Sequence, residues 1–261
     1  MLEIKGAVAV ITGGSGGIGM ALAGYWLAHG GRVVLADISE EALRKAQAIL
    51  GGETAVFMCD VTKEGDNGRL ADFVIGKFGQ INLVAPFAGI FRDCLLVSPD
   101  RETGRVTRKM SLEDFQKVID INLTGVFLTV RECLERMINN KNKGLICLAS
   151  STGSLGTAGQ VNYSATKAAM SVFPKVITAE LFRRGLGGQI RCVAVAPGYC
   201  ETPMARSMNP KALEKILENV PIGRLIGADE VASLVGELYR NEALTGDVYF
   251  IHGGLRLGSK G

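Results

Sequence analysis

Tyr163 and Lys167 lie four positions apart, with Asn162 immediately before them. If Asn162 opens a helix, the phenol and the ammonium stand one turn apart on the same face. A free tyrosine has a pKa of about 10, so it exchanges protons poorly near neutrality. A fixed positive charge beside it favours the phenolate and draws that pKa toward the working range of an acid/base catalyst. Ser150, thirteen positions upstream, follows the apolar run Gly144–Ala149. It is therefore presented at the end of a strand, where sites in α/β proteins form. A Tyr and a Lys at this spacing more often make only a surface pair whose long side chain snorkels to water. What raises this one is the remainder of the chain.

Ala7–Thr12 is a short apolar strand that runs directly into Gly13, Gly14, Ser15, Gly16, Gly17, Ile18 and Gly19. A helix is expected over Met20–His29, stopped by Gly30 and Gly31, then a strand Arg32–Ala36 ending at Asp37. A glycine turn that opens a helix brings backbone N–H groups and the positive helix end to a pyrophosphate. A carboxylate closing the next strand accepts hydrogen bonds from ribose hydroxyls. Strand, glycine turn, helix and acid in this order predict dinucleotide binding. Asp37 would repel a 2′-phosphate, and Ile38 and Ser39 supply no arginine to hold one. NAD is expected rather than NADP.

The alternation continues, with helices expected over Glu40–Leu50, Lys63–Phe78, Ser111–Asn139, Asn162–Arg184, Pro210–Asn219 and Asp229–Arg240. The intervening strands are Thr54–Cys59, Ile81–Ala85, Leu145–Ala149, Ile190–Ala196 and Val248–Ile251. This pattern predicts an α/β fold, a doubly wound parallel sheet with helices on both faces, in one domain over residues 1–261. One polar stretch near 98–109 breaks the rhythm and reads as a protruding hairpin or loop with an excess of basic residues.

The composition narrows the rest. The chain has 261 residues, 47% hydrophobic and 21% charged, with a formal charge of +3. That charge is too small and too dispersed to imply nucleic acid. The six cysteines form no CxxC pair and sit mostly in apolar runs, as reduced thiols of a cytoplasmic protein would. With only His29 and His252, far apart, no metal site is expected. No apolar run reaches membrane-spanning length, and no signal peptide is expected before the first strand.

Taken together, the chain resembles the short-chain dehydrogenase/reductase family in its single-domain Rossmann-fold form. The likeness runs from Gly6 to Gly254. It rests on Thr12-Gly13-x-x-x-Gly17-x-Gly19, Asp60, Asn122, Ser150, Tyr163-x-x-x-Lys167, and Pro197-Gly198 followed by Thr202. The resemblance implies that Tyr163 is the general acid/base and that Lys167 lowers its pKa and bonds the nicotinamide ribose. Ser150 would polarise the reacting oxygen, and Asn122 would hold a water that links Lys167 to solvent. It further implies that Asp60 and Val61 meet the adenine, and that Ala88 and Gly89 border the cofactor. Backbone near Cys200 and the Thr202 hydroxyl would orient the carboxamide. Leu155, Ala158, Gln160 and Tyr199 would line the substrate pocket, under a lid near 199–221 that includes Met204 and Met208. Assembly as a homotetramer through the long helices is also implied.

The main departure from the family pattern is Pro86-Phe87-Ala88-Gly89, where Asn-Asn-Ala-Gly is usual. An apolar contact of Phe87 would replace a polar bridge. The leading expectation is an NAD-dependent oxidoreductase acting on a small secondary alcohol or ketone. The alternative is a reductase of 3-oxoacyl thioesters, for which Arg183 and Arg184 would meet an acidic carrier at the mouth of the site. A non-catalytic dinucleotide-binding protein is the third reading, and only Phe87 favours it.

Overall fold

The computed structural model describes residues 1–201, 214 and 216–255. Seven strands form one parallel sheet: β1 (Val8–Thr12), β2 (Arg32–Asp37), β3 (Thr54–Met58), β4 (Leu83–Pro86), β7 (Gly144–Ala149), β8 (Ile190–Pro197) and β9 (Val248–Ile251). Their spatial order is β3-β2-β1-β4-β7-β8-β9. Every residue of β1, β4 and β8 is buried, which is why these strands read as unbroken apolar runs rather than alternating ones. The chain leaves β1 toward β2 on one side and later returns to β4 on the other. The crevice at the carboxyl ends of β1 and β4 is thus the switch point where such sheets bind ligands.

Helices cover both faces. On one, α1 (Gly17–Ala28) and α7 (Ala228–Arg240) pack Leu22, Trp26, Val235 and Tyr239 into the core. On the other, α3 (Glu64–Phe78), α5 (Val126–Asn139) and α6 (Val161–Arg183) bury Leu70, Val74, Cys133, Met137 and Met170. The helix α2 (Glu40–Leu50) is capped as its sequence suggests: Ala42 N–H donates to Ser39 Oγ, with Glu40 and Glu41 in the first turn. The helix α1 begins at Gly17, three residues before the expected Met20, because the glycine turn itself forms the first helical turn.

The long helix expected over 111–139 is not uniform. Ser111 caps α4 (Leu112–Ile119), a π-helical turn spans Asp120–Gly125, and α5 continues from Val126. The polar stretch near 98–109 forms an antiparallel hairpin of β5 (Val97–Pro99) and β6 (Val106–Lys109), separate from the main sheet.

Arg191 is 5% exposed and anchors the last helix through backbone carbonyls. Its guanidinium donates to the carbonyls of Leu238, Asn241 and Leu244 through Nη1 and of Tyr239 through Nη2, at 2.6–3.1 Å. All six cysteines are free thiols, four of them buried. Burial pushes Cys133 and Cys147 up to about 12. No helix among the described residues is long and apolar enough to cross a membrane.

Candidate active site

The carboxyl ends of β1 and β4 open onto a cavity of about 670 Å³. Gly13 and Gly16 to Gly19 form one wall and Gly89 borders it. Ser150, Gln160, Tyr163, Lys167 and Pro197 to Tyr199 complete it.

The glycine turn has little room for anything larger. Gly13 adopts φ +64°, and a Cβ there would stand 2.8 Å from the backbone of Ala88. A Cβ on Gly19 would stand 2.6 Å from the Gly13 carbonyl oxygen. Helix α1 carries no acidic residue in its first turn, and its cap, Gly16, has no side chain to occupy the free N–H groups. That end can therefore take a pyrophosphate. Asp37 lies across the turn, where Oδ2 accepts from Ser15 Oγ at 2.5 Å and from Ser15 N–H at 3.3 Å. Its Oδ1 accepts from Ile38 N–H at 2.8 Å, and Ile38 is 68% exposed beside it. The cradle and the carboxylate fit the phosphates and ribose of a nicotinamide dinucleotide.

Asp60 and Val61 lie further out. Asp60 Oδ1 accepts from the Thr62 hydroxyl at 2.7 Å and from Thr62 N–H at 3.1 Å, and the hydroxyl bond chiefly holds its carboxyl below the ordinary range. Val61 is buried so tightly that a Cβ on Gly125 would meet its Cγ2 at 2.7 Å. Phe87 lines the cavity and packs against the core, while Phe87 N–H donates to the Thr12 carbonyl and Ala88 N–H to Thr12 Oγ1. Thr12 and an apolar contact thus hold the turn that carries the usual asparagine in the family pattern.

Asn122 sits in the π-helical turn and is fully buried. Its Oδ1 accepts from Ile90 N–H at 2.8 Å and its Nδ2 donates to the Ile90 carbonyl at 2.7 Å. Both ends of the amide are committed to one residue, which fixes the segment following Gly89.

Tyr163 and Lys167 stand one turn apart at the start of α6 as expected, with Lys167 Nζ 5.5 Å from the centroid of the phenol ring. Lys167 is 7% exposed and donates to the Ala149 carbonyl at 2.7 Å. Burial lowers its pKa to about 8. The phenol differs from expectation: burial, the largest influence, pushes Tyr163 above its ordinary value. The influence of the nearby Ser151 hydroxyl is downward but does not overcome burial. An ammonium several ångströms from the ring and engaged by a carbonyl does not outweigh desolvation.

The serine also differs. Ser150 Oγ donates to the Lys167 carbonyl at 2.9 Å and lies 2.7 Å from Ser171 Oγ, so its hydroxyl is engaged with α6 although the residue borders the cavity. Ser151, twelve positions before Tyr163, is the serine on the phenol's side: a Cβ on Gly153 would meet both the Tyr163 ring, at 3.3 Å, and Ser151 Oγ, at 3.4 Å. Successive residues leaving a strand point to opposite faces, so a shift of one residue exchanges the two roles. The Ser-Ser pair was the available signal, but spacing alone could not choose between its members.

Of the other expected substrate contacts, Gln160 and Tyr199 border the cavity and Leu155 does not. The 3-10 turn Thr152–Leu155 presses Gly153 to within a Cβ's 3.3 Å of the Tyr163 ring and leaves Leu155 60% exposed. The loop after β8 is pinned where Ile226 N–H donates to the Tyr199 carbonyl and Glu201 N–H to the Ile226 carbonyl. Thr202, Met204, Met208 and most of the expected lid lie outside the described residues. Arg183 and Arg184 end α6, 20 and 21 residues beyond Tyr163. At 1.5 Å per residue they are about 30 Å from the phenol, so they do not flank the mouth of this chain's own site.

Residues 7–213 match the family model described as short chain dehydrogenase. The chain is 35% identical to a 3-oxoacyl-[acyl-carrier-protein] reductase of Thermotoga maritima, over 97% of this chain and 99% of that one. It is 31% identical to the 3-oxoacyl-[acyl-carrier-protein] reductase of Escherichia coli, over 97% and 99%. A Synechocystis 3-oxoacyl-[acyl-carrier-protein] reductase is 35% identical over 98% and 99%.

Proposed function

Because this chain belongs to the short chain dehydrogenase family, whose members interconvert a CH–OH group and a carbonyl, we propose that it reduces the 3-oxo group of an acyl thioester with NADH. The observation that carries the thioester is the near full-length likeness to 3-oxoacyl-[acyl-carrier-protein] reductases. Held by the Gly13–Gly19 turn and Asp37, a bound nicotinamide would supply the hydride that the carbonyl carbon takes up. As charge develops on the carbonyl oxygen, Ser151 donates a hydrogen bond to it and Tyr163 transfers its proton. A phenol held above its ordinary pKa is protonated at neutral pH, which suits an acid in the reductive direction. Lys167 and Asn122 hold the phenol's surroundings in place, Lys167 through Ala149 and Asn122 through Ile90.

NADH rather than NADPH follows from Asp37, whose carboxylate would repel a 2′-phosphate. The same residue keeps a second reading open, the oxidation of a free secondary alcohol with NAD, and the distance of Arg183 and Arg184 from Tyr163 favours it too. Assembly into a homotetramer is part of this proposal. Phe127, Val172, Val176 and Phe182 on α5 and α6 are 47–79% exposed and offer apolar faces for it.

The test is a panel of 3-oxoacyl thioesters and free ketones with each reduced cofactor, on the wild type and on Tyr163→Phe. Reduction of thioesters, lost in Tyr163→Phe while NADH still binds, is the expected result. Turnover of free ketones alone would move the assignment to the second reading.

A further inference from the structure

The β5–β6 hairpin stands off the main sheet with large apolar side chains in solvent. Leu95, Leu96, Val97 and Val106 are 49–66% exposed, and all four residues of β6 are exposed. A two-stranded hairpin is marginal by itself. This one is braced at both ends. At its tip, Asp100 N–H donates to the Arg105 carbonyl, and Asp100 Oδ1 accepts from Glu102 N–H, Thr103 N–H and the Thr103 hydroxyl. At its base, Cys94 N–H donates to the Gly159 carbonyl at 2.8 Å.

Between this base and the segment from Gly156 to Ser164 runs a groove of about 520 Å³. Its wall on one side is Leu95, Leu96 and Val97, and on the other Ala158 and Val161. Its volume lies within the range of small-molecule sites, and its lining is largely carbon.

The groove continues the catalytic cavity. Thr157 lines both. The Cys94–Gly159 bond forms the saddle between them, and the neighbouring residues on its catalytic side, Asp93 and Gln160, are joined at 2.8 Å. Phe91 leads into the saddle, 42% exposed and edge-on to the Tyr163 ring at 6.5 Å. A track thus runs from the reacting phenol past Phe91, the Asp93–Gln160 pair and Thr157 to the apolar wall Leu95–Val97.

We propose that this groove is the subsite for the alkyl chain of the substrate, the limb of the 3-oxoacyl group beyond the reacting carbonyl. The inference rests on the thioester-reductase reading above. A polar limb would find few partners there, whereas each methylene laid against Leu96 and Val161 leaves water. The hairpin is then a length selector: short acyl groups react without it, and longer ones gain affinity along it.

The experiment compares kcat/KM for 3-oxoacyl thioesters of four, eight and twelve carbons in the wild type, Leu95→Asp and Leu96→Asp. Wild-type kcat/KM should rise about 10- to 100-fold from the shortest to the longest, given what buried methylenes contribute. Each variant should lose most of that rise and keep its four-carbon activity within about twofold, since it touches only the groove. Both side chains are half-exposed or more, so neither variant threatens folding. Equal rates at all lengths in the wild type, or an equal loss at all lengths in the variants, would overturn the groove and leave the reductase standing. No turnover of even the four-carbon thioester would remove the reductase, and the groove's occupant with it.

Discussion

Ser15 Oγ donates a 2.5 Å hydrogen bond to Asp37 Oδ2, closing the glycine turn against the end of β2. The bond joins the two places where a 2′-phosphate would need room and positive charge. Asp37→Ala should weaken NADH binding about 10-fold or more and lower the NADH/NADPH affinity ratio by at least as much, because a charge-assisted bond and a repulsion go together. Ser15→Arg added to Asp37→Ala should move the preference to NADPH. Calorimetric titration of each variant with both cofactors measures this. An unchanged ratio would show that selection lies elsewhere.

Two adjacent serines should give opposite signatures. Ser151→Ala should lower kcat about 100-fold with little change in stability, as expected for a donor aimed at developing charge. Ser150→Ala should leave kcat within about 10-fold and cost on the order of 1 kcal/mol of stability, since it breaks the tie to the Lys167 carbonyl and Ser171. Steady-state rates and urea midpoints on the same preparations separate the two. If Ser150→Ala proved the catalytically dead variant, the assignment would reverse.

The pH dependence should be governed by Lys167. Its ammonium is lost as pH rises through about 8, so reductive kcat/KM should fall above that value. The Tyr163 phenol, pushed upward, keeps its proton to higher pH. Stability should move the other way. Folding depresses Lys167 from its ordinary 10.5 to about 8, so the unfolded chain binds more protons between those values and this group's contribution favours the folded state increasingly across that window. Rate profiles and urea midpoints from pH 7 to 10 check both signs. A rate that held level to pH 10 would count against Lys167 as the controlling group.

Arg191→Met should cost about 3 kcal/mol, because four carbonyls, those of Leu238 and Tyr239 buried, lose their donor together. Arg191→Lys should recover little of this, since an ammonium cannot span the fork. Urea unfolding provides the measurement, and a loss below about 1 kcal/mol would refute the anchoring role.

Much of the fold was legible because parallel strands and covering helices write different periods into the chain. The glycine turn announced itself by residues whose Cβ atoms have nowhere to go, as at Gly13 and Gly19. Tyr163 and Lys167 were legible because one helical turn fixes their relation. The rest depended on facts a spacing does not carry. Which of Ser150 and Ser151 lies on the phenol's side is decided where the strand ends, and the direction of the Tyr163 shift by how much water is excluded. Arg183 and Arg184 read as near the site only until the length of α6 is measured out. The groove beside the hairpin needed two segments some sixty residues apart, joined at Cys94 and Gly159.

The π-helical turn at Asp120–Gly125 has a consequence for the shape of the whole domain. A π turn holds one residue more than an α turn, so the buried positions of α5 run one residue out of phase with those of α4. The first half packs against α6 and the second against α3. The turn is a wrist set at a fixed angle, and one surplus residue lets a single rod serve two neighbours.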